Sequence, residues 1–319
     1  MNLRRASIAL FMLLAGAVHA EAEPWPQRPV RIIVGFAAGG NTDSIARLSA
    51  AWLGPRLGQG VVVENRPGAN GAIAGELVMH AAPDGYTLLM ANLPEMAILP
   101  AMTATPYDPV KDFTPVTIVG SNDFALAINR LIPGDTLADL VAYVKARPGQ
   151  IAYGSGGSGT VSHLTTALFL QRAGLQMIHV PYRGGALALN DLLAGQVPLY
   201  FGNLAEILPH AGQVKIVAVS GTKRAAQLPA VPTLAESGYP DFHTATWNGL
   251  AAPAGTPRDI VMRLYQAMRP AAANQDFVAK LAGIGVDPVC DTPEEFGALL
   301  QADLVTWAEA VRISGAKVD

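Results

Sequence analysis

Short β-branched runs alternate with longer amphipathic segments along this chain, and that alternation constrains the fold more than any other feature. It is the pattern of stacked β-α units rather than of a sandwich. Val30 to Gly35 reads as a first strand, nearly continuous in apolar residues as expected of a parallel strand covered on both faces. A helix follows over Thr42 to Leu57, with Ile45, Leu48, Ala51 and Trp52 on one stripe. Val61 to Val63 and Thr87 to Met90 are the next strands, with a helical stretch over Ala72 to Ala81 between them. A second set begins near Phe124, with strands expected at Phe124 to Ile128, Ile151 to Tyr153, Met177 to Val180, Leu199 to Phe201 and Ile216 to Ser220. The C-terminal part differs: Trp247 to Ala252 precedes three helices and one short strand, Asp287 to Cys290. Thr256-Pro257-Arg258-Asp259 and Thr292-Pro293-Glu294-Glu295 each offer a Thr N-cap, Pro at N1 and an acid at N3. The last helix is expected to pack back across the first set.

Composition narrows the function classes. Half of the 319 residues are hydrophobic and only 15% are charged, which excludes a disordered chain. The net charge is −3, and the 22 Lys and Arg residues are scattered, so phosphate neutralisation on nucleic acid is not supported. Residues 1–20 read as a secretory signal peptide: Arg4 and Arg5 form a positive n-region, Ala6 to Val18 an apolar core too short to anchor, and Ala20 or Ala22 a cleavage point. Cys290, the single cysteine, cannot form an internal disulfide and is expected to be buried at a strand end.

Two segments run from strand through a glycine-rich turn to a hydroxyl-bearing helix start: Ile32 to Asp43, and Ile151 to Thr160. The second matches G-x-G-x-x-G, but the acid that would hold a ribose about 20 residues on is missing from Met177 to Pro181. G-x-S-x-G fails at Tyr153 and at Thr160, so no nucleophile elbow is present. The histidines after the leader are far apart, without the spacing of a metal site, and no phosphate-binding G-x-x-x-x-G-K-[ST] occurs. No cofactor is expected. Anion capture without chemistry remains, because a glycine-rich turn at a helix start exposes backbone N–H groups at the positive end of the helix dipole. The other reading is that both turns only cap helices.

An ordered series of blocks then resembles one family. Its carriers are Trp25 to Val34, Phe36-Ala37-Ala38-Gly39-Gly40-Asn41-Thr42-Asp43, Val63-Glu64-Asn65-Arg66-Pro67-Gly68-Ala69-Asn70-Gly71, Pro83 to Leu88, Tyr153 to Thr160 with His163, Val180 to Gly184, and Trp247 to Leu250 with Pro253 to Pro257. From Trp25 to the C-terminus the chain resembles the Bug-type periplasmic solute receptors of tripartite tricarboxylate transporters. The resemblance implies an α/β, two-domain periplasmic-binding-protein fold, Venus flytrap and type II-like, with two hinge crossovers near Ser121 to Ala125 and Thr244 to Trp247. Domain 1 would combine residues 24–121 and 245–319, and domain 2 would be 122–244. It further implies a monomeric, non-enzymatic receptor that binds a small carboxylate in the interdomain cleft and delivers it to a membrane permease. A secreted α/β hydrolase using the same cleft, or a ligand-sensing partner of a membrane signalling protein, are the alternatives.

By the same resemblance, Phe36 walls the cleft, Ala37, Ala38 and Gly39 offer backbone groups, and Thr42 caps the first helix or touches ligand. Asp43 is a candidate contact to a ligand amine or water, although its i,i+4 spacing to Arg47 favours an ordinary helix-surface pair. Ser155, Ser158, Gly159 and Thr160 are the foremost carboxylate candidates, with His163 one turn on as a possible donor or a buried, satisfied residue. Asn92, Tyr182 and Asn203 follow strand ends and are expected to set specificity. Arg66 and Arg183 are candidates to neutralise a second carboxylate, or simply solvated surface residues.

Overall fold

The computed structural model describes residues 25–317. The expected leader and its cleavage points lie outside the described residues. β1 (Val30–Val34) pairs in parallel with β2 (Val61–Asn65) on one side and β3 (Thr87–Asn92) on the other. The connections are α1 (Asn41–Leu57) and α2 (Ala72–Met79), the right arrangement for parallel strands, which need a crossover helix. After β3 come a π-helical turn, Pro94–Ile98, and the short α3 (Leu99–Met102).

β4 (Phe113–Ile128) is the longest strand and the centre of the sheet. The strand expected at Phe124 to Ile128 is only its last part. The preceding stretch holds Pro115, Gly120, Asn122 and Asp123, poor strand formers that hid it. The structure accommodates them with register shifts between Pro115 and Thr117 and between Ile118 and Gly120. Up to Asp123, β4 pairs with β9 (Ala245–Pro253), which also pairs with β3. From Phe124 on, β4 pairs instead with β7 (Leu199–Asn203) and β8 (Lys215–Val219). Beyond β7 lie β5 (Ala152–Ser155) and β6 (Ile178–Pro181), parallel to each other. The strand order is β2-β1-β3-β9-β4-β7-β5-β6, with β8 and β10 (Asp287–Pro288) also on β4.

The chain therefore changes from one half of the sheet to the other at two neighbouring places. Ser220, fully buried, ties them: its Oγ accepts from Phe124 N–H at 2.9 Å and donates to the Thr244 carbonyl. Thr244 N–H returns a bond to Ser220 O at 3.2 Å.

The second half carries α4 (Leu137–Lys145), α5 (Val161–Ala173), α6 (Gly185–Leu193) and α7 (Leu204–Ile207). The C-terminal helices are α8 (Arg258–Met268), α9 (Gln275–Ala282) and α10 (Pro293–Ser314). At α10 the expected capping holds, since Thr292 Oγ1 accepts from Glu295 N–H at 3.2 Å and Glu295 reaches back to Thr292 N–H at 2.9 Å. At α8 it does not. Thr256 Oγ1 donates to Pro253 O at 2.8 Å, closing the turn after β9, and the cap position falls to Pro257. Nor does α10 confine itself to the first half. It packs on the Pro94–Ile98 turn and β4, and equally on α5 of the second half. Trp247, Phe296 and Trp307 anchor it in an apolar cluster shared by both halves, where burying one large aromatic contributes about 1.5–3 kcal/mol. Cys290 is buried two residues past β10, at a φ of +55°.

Candidate functional site

A cavity of about 490 Å³ opens between the halves. Its wall on the first half is Phe36 from the turn after β1, Asn70, Pro94, and Ile98, Leu99 and Met102 from the segment after β3. The facing wall is Ser158, Gly159, Thr160 and Val161, at the start of α5, and Lys317 closes the rim from the C-terminal tail. Gly159 sits at φ +75°, and a Cβ there would come within 2.5 Å of Met102 Cε. Glycine suits this left-handed backbone conformation, and any Cβ here would have to push aside the flexible end of the Met102 side chain.

The second loop is braced from beneath by imidazoles. Ser155 Oγ, fully buried at the end of β5, accepts from Gly157 N–H at 3.1 Å and lies 2.6 Å from His179 Nε2 on β6. The His163 ring stacks on His179 with centroids 3.8 Å apart and planes 3° from parallel, and its Nδ1 accepts from Gly159 N–H at 3.2 Å. Burial, reinforced by the adjacent His179, lowers the His163 pKa to about 4, and burial also lowers that of His179. Both shifts favour the neutral rings, and the 3.8 Å stack disfavours charge on the pair.

These bonds consume loop N–H groups but leave the helix end open. Thr160 occupies the N-cap of α5 without a side-chain cap bond, because its Oγ1 turns back to Gly157 O at 2.7 Å. The first turn of α5 holds no acid, so the N–H groups beside the cavity keep their partial positive charge for an anion. Ser158, exposed at the apex, adds a hydroxyl donor.

The first loop is built differently. Asp43, in the first turn of α1, is buried, not the surface partner of Arg47 that its spacing favours. Its Oδ2 accepts from Gly39 N–H at 2.9 Å and from Arg47 Nε at 2.8 Å, and its Oδ1 accepts from Asn65 Nδ2 at 2.9 Å. Asn65 Nδ2 also donates to Phe36 O at 3.0 Å. Burial would raise the Asp43 pKa, but the hydrogen bonds from Arg47, Gly39 and Asn65 outweigh it and hold the value at about 2. A fixed carboxylate already occupies the positive end of this helix. Ala37, Ala38 and Gly39 are exposed, and they and Thr42 lie outside the cavity lining.

Of the residues singled out in the sequence, the structure thus brings Phe36, Ser158, Gly159 and Thr160 around one cavity. Ser155, His163 and Asp43 stand behind the loops, with their polar atoms engaged as above. Asn92 is buried, donating from Nδ2 to Glu95 Oε2 at 3.2 Å. Tyr182 donates to Asp191 Oδ2 at 2.6 Å, and Asn203 caps α7 by accepting from Ala205 N–H at 2.9 Å. Arg66 pairs with Glu64, and Arg183 is exposed outside the lining. The sequence reading missed Asn70, Pro94, Ile98, Leu99, Met102 and Lys317, and also Val161. For Pro94, Ile98, Leu99 and Met102 a signal existed: the apolar run Leu93 to Met102 directly follows a parallel strand's C-terminal end, where α/β sheets bind ligands.

A second cavity of about 470 Å³ lies beside the strand crossing, lined by Asp123, Glu206 and Asp287 among others. The α-helix start that adjoins it, α7, is four residues long and already capped by Asn203. Three acids and no open helix end make it a poor home for an anion. Among the described residues no cluster of three His, Cys, Asp or Glu could hold a metal, and no helix is long and apolar enough to cross a membrane.

Residues 45–315 match the family described as tripartite tricarboxylate transporter family receptor. The chain is 37% identical to the protein BugT of Bordetella pertussis over the full length of both. Among solved structures it is similar to a TctC solute binding protein from Polaromonas, at 30% identity and TM-score 0.85, covering 91% of this chain and 99% of that one. An R. palustris protein solved with adipate is 35% identical with TM-score 0.74, covering 92% of this chain and all of the other. The α/β fold expected of a periplasmic binding protein is the fold found.

Proposed function

Because this chain belongs to the tripartite tricarboxylate transporter receptor family, we propose that it captures a small carboxylate outside the cytoplasmic membrane and hands it to a membrane permease. It is exported by the segment 1–20 to the periplasm and acts as a monomer without covalent chemistry. The observation that carries this reading is the open N-terminus of α5, with Ser158, Gly159 and Thr160 lining, together with Phe36 and Met102, a cavity of ligand size. The adipate in the R. palustris relative is in keeping with it.

In this reading the ligand carboxylate sits on Ser158 and the first-turn N–H groups of α5, while Phe36 packs on its body. Ala37, Ala38, Gly39 and Thr42 approach through water or on closure. Ser155, His163 and Asp43 position the loops, and Asn92, Tyr182 and Asn203 shape the surroundings. Residues 24–121 with 245–319 form one domain and 122–244 the other, hinged where β4 changes partners at Asp123 and Phe124 and where Thr244 enters β9. The Ser155–His179 contact invites a hydrolase reading, but that hydroxyl is buried and braces the backbone of its own loop.

The test is thermal unfolding of the mature protein, refolded to strip ligand, against mono-, di-, tri- and aromatic carboxylates. A ligand at about a hundred times its Kd adds ~2.7 kcal/mol and raises Tm by several degrees. Ser158→Ala should remove a charge-assisted hydrogen bond worth about 1.5–3 kcal/mol of binding while leaving the unliganded Tm in place. If no acid shifts Tm while a neutral solute does, the carboxylate reading is wrong. Conversion of the bound acid to product would favour the hydrolase.

A further inference from the structure

The segment Gly68-Ala69-Asn70-Gly71 brings Asn70 to the cavity wall in an unusual conformation: all four residues have positive φ, from +45° at Ala69 to +139° at Gly68. Ala69 in this region is strained, and such strain persists only where the surroundings impose it. Here they do. A Cβ on Gly71 would fall 2.8 Å from Glu95 Cδ, and one on Gly35 would fall 2.7 Å from Gly71 Cα, so the backbone is wedged between the end of β1 and the π-helical turn. The result is that Asn70 lines the main cavity and also a second one, of about 280 Å³. Leu99 is likewise shared by both.

The smaller cavity is mostly apolar, with Ala72, Ile73, Ala104 and Pro106 in its wall. Ile73 is half exposed, at 49%, although it lies on a helix whose opposite face is core. The two cavities also differ in charge. Lys317 is the one charged residue lining the main cavity among the described residues, and Glu76 is the one lining the smaller. Asn70 and Leu99 are therefore common to a cavity with a cationic residue in its lining and a cavity with an anionic one.

We propose that the two cavities form one bipartite ligand site, and that the preferred acid has a single carboxylate and an apolar body. This rests on the carboxylate-receptor reading and adds the shape and polarity of the ligand. The carboxylate takes the open helix end, beside Lys317. The apolar body crosses between Asn70 and Leu99 and lies against Ile73 and Ala104, where it covers apolar surface otherwise left to water. A second carboxylate at the far end would meet Glu76, so dicarboxylates of matching length are selected against by charge.

The experiment is titration calorimetry of the ligand-stripped mature protein with straight-chain monocarboxylates from butanoate to decanoate, and with the α,ω-dicarboxylates of the same lengths. Monocarboxylate affinity should rise roughly fourfold per methylene until the smaller cavity is full. The matching dicarboxylates should bind several-fold more weakly. Ile73→Glu and Ala104→Glu, both at exposed positions, should bring decanoate affinity down toward that of butanoate, and Glu76→Gln should narrow the gap between the mono- and dicarboxylate series. Dicarboxylates binding as well as monocarboxylates, an affinity independent of chain length, or a length dependence untouched by Ile73→Glu would each overturn the bipartite site while leaving a carboxylate receptor standing. Binding of no acid in either series would instead sink the receptor reading and this one with it.

Discussion

The loop after β1 is braced by an ionised acid, the loop after β5 by two neutral imidazoles. Both run from a parallel strand to a helix start, and both use glycine at positive φ, at Gly39 and at Gly157 and Gly159. In the first, Asp43 gathers Gly39 N–H, Arg47 and Asn65 around a buried carboxylate inside the first turn of α1. In the second, Ser155, His163 and His179 hold the backbone with uncharged groups, and no acid stands in the first turn of α5. The same local plan therefore gives one helix end that supplies its own counter-charge and one that does not. The lesson is that a glycine-rich turn at a helix start keeps its positive end free for an anion only where its supports are neutral.

Four substitutions break or sharpen this comparison. The largest effect is expected from Gly159→Val, where a non-glycine residue costs about 1–3 kcal/mol of backbone strain and its side chain pushes the flexible end of Met102 out of place in the cavity wall. Carboxylate binding should fall below detection in titration calorimetry while circular dichroism still shows a folded protein. Asp43→Ala should do the reverse. It takes the acceptor from Gly39 N–H, from Arg47 Nε and from one of the two bonds of Asn65 Nδ2, and costs about 3 kcal/mol of unfolding free energy in denaturant titrations, with a much smaller change in ligand affinity. Full binding loss in a folded Asp43→Ala variant would refute the division of labour between the loops.

The imidazole support has a pH signature. The His163 pKa is lowered from 6.5 to about 4 in the folded state, so between these values the unfolded chain holds the proton and the folded one does not. Its contribution is intact above pH 6.5 and is lost as pH falls toward 4, by up to roughly 3 kcal/mol. Asp123, Asp291 and Asp303, whose pKa values burial raises to about 6, act with the opposite sign over the same range. The stability difference between wild type and His163→Gln isolates the histidine and should shrink on acidification from pH 7 to pH 4. A difference independent of pH would mean that the ring is not held neutral. The smallest effect belongs to Thr292→Ala, remote from both loops: loss of a helix cap costs about 1 kcal/mol and leaves ligand affinity unchanged.

Much of the first half was legible because its signals are local. The apolar run at Ile32 to Val34 and the stripe on the following helix name their own secondary structure, and the glycine-rich turn between them is fixed by the same few residues. β4 was legible only in its last five residues, because Pro115 and Gly120 break the strand pattern and only pairing with β9 compensates for them. Thr256 carried the same Thr-Pro signature as Thr292, yet its hydroxyl went to Pro253, a choice made by the turn leaving β9. At the candidate site, Ser158, Gly159 and Thr160 announce themselves by type and position. Lys317 and Met102 do not, since nothing near them in the chain says what they will face.

By itself, then, the sequence determined the β-α alternation, the two glycine-rich turns and the family to which the chain belongs. The tertiary structure decided which turn was left as the open helix end. That depended on His179 from β6 lying under one loop and Asn65 from β2 bridging Phe36 to Asp43 in the other. It also brought Asn70 into the lining of two cavities and Lys317 of the C-terminal tail into the lining of one. The physical reason is range: strand and helix preferences act over a few residues, whereas the charge felt by a helix end and the shape of a cavity are set by groups distant in sequence that packing alone brings together.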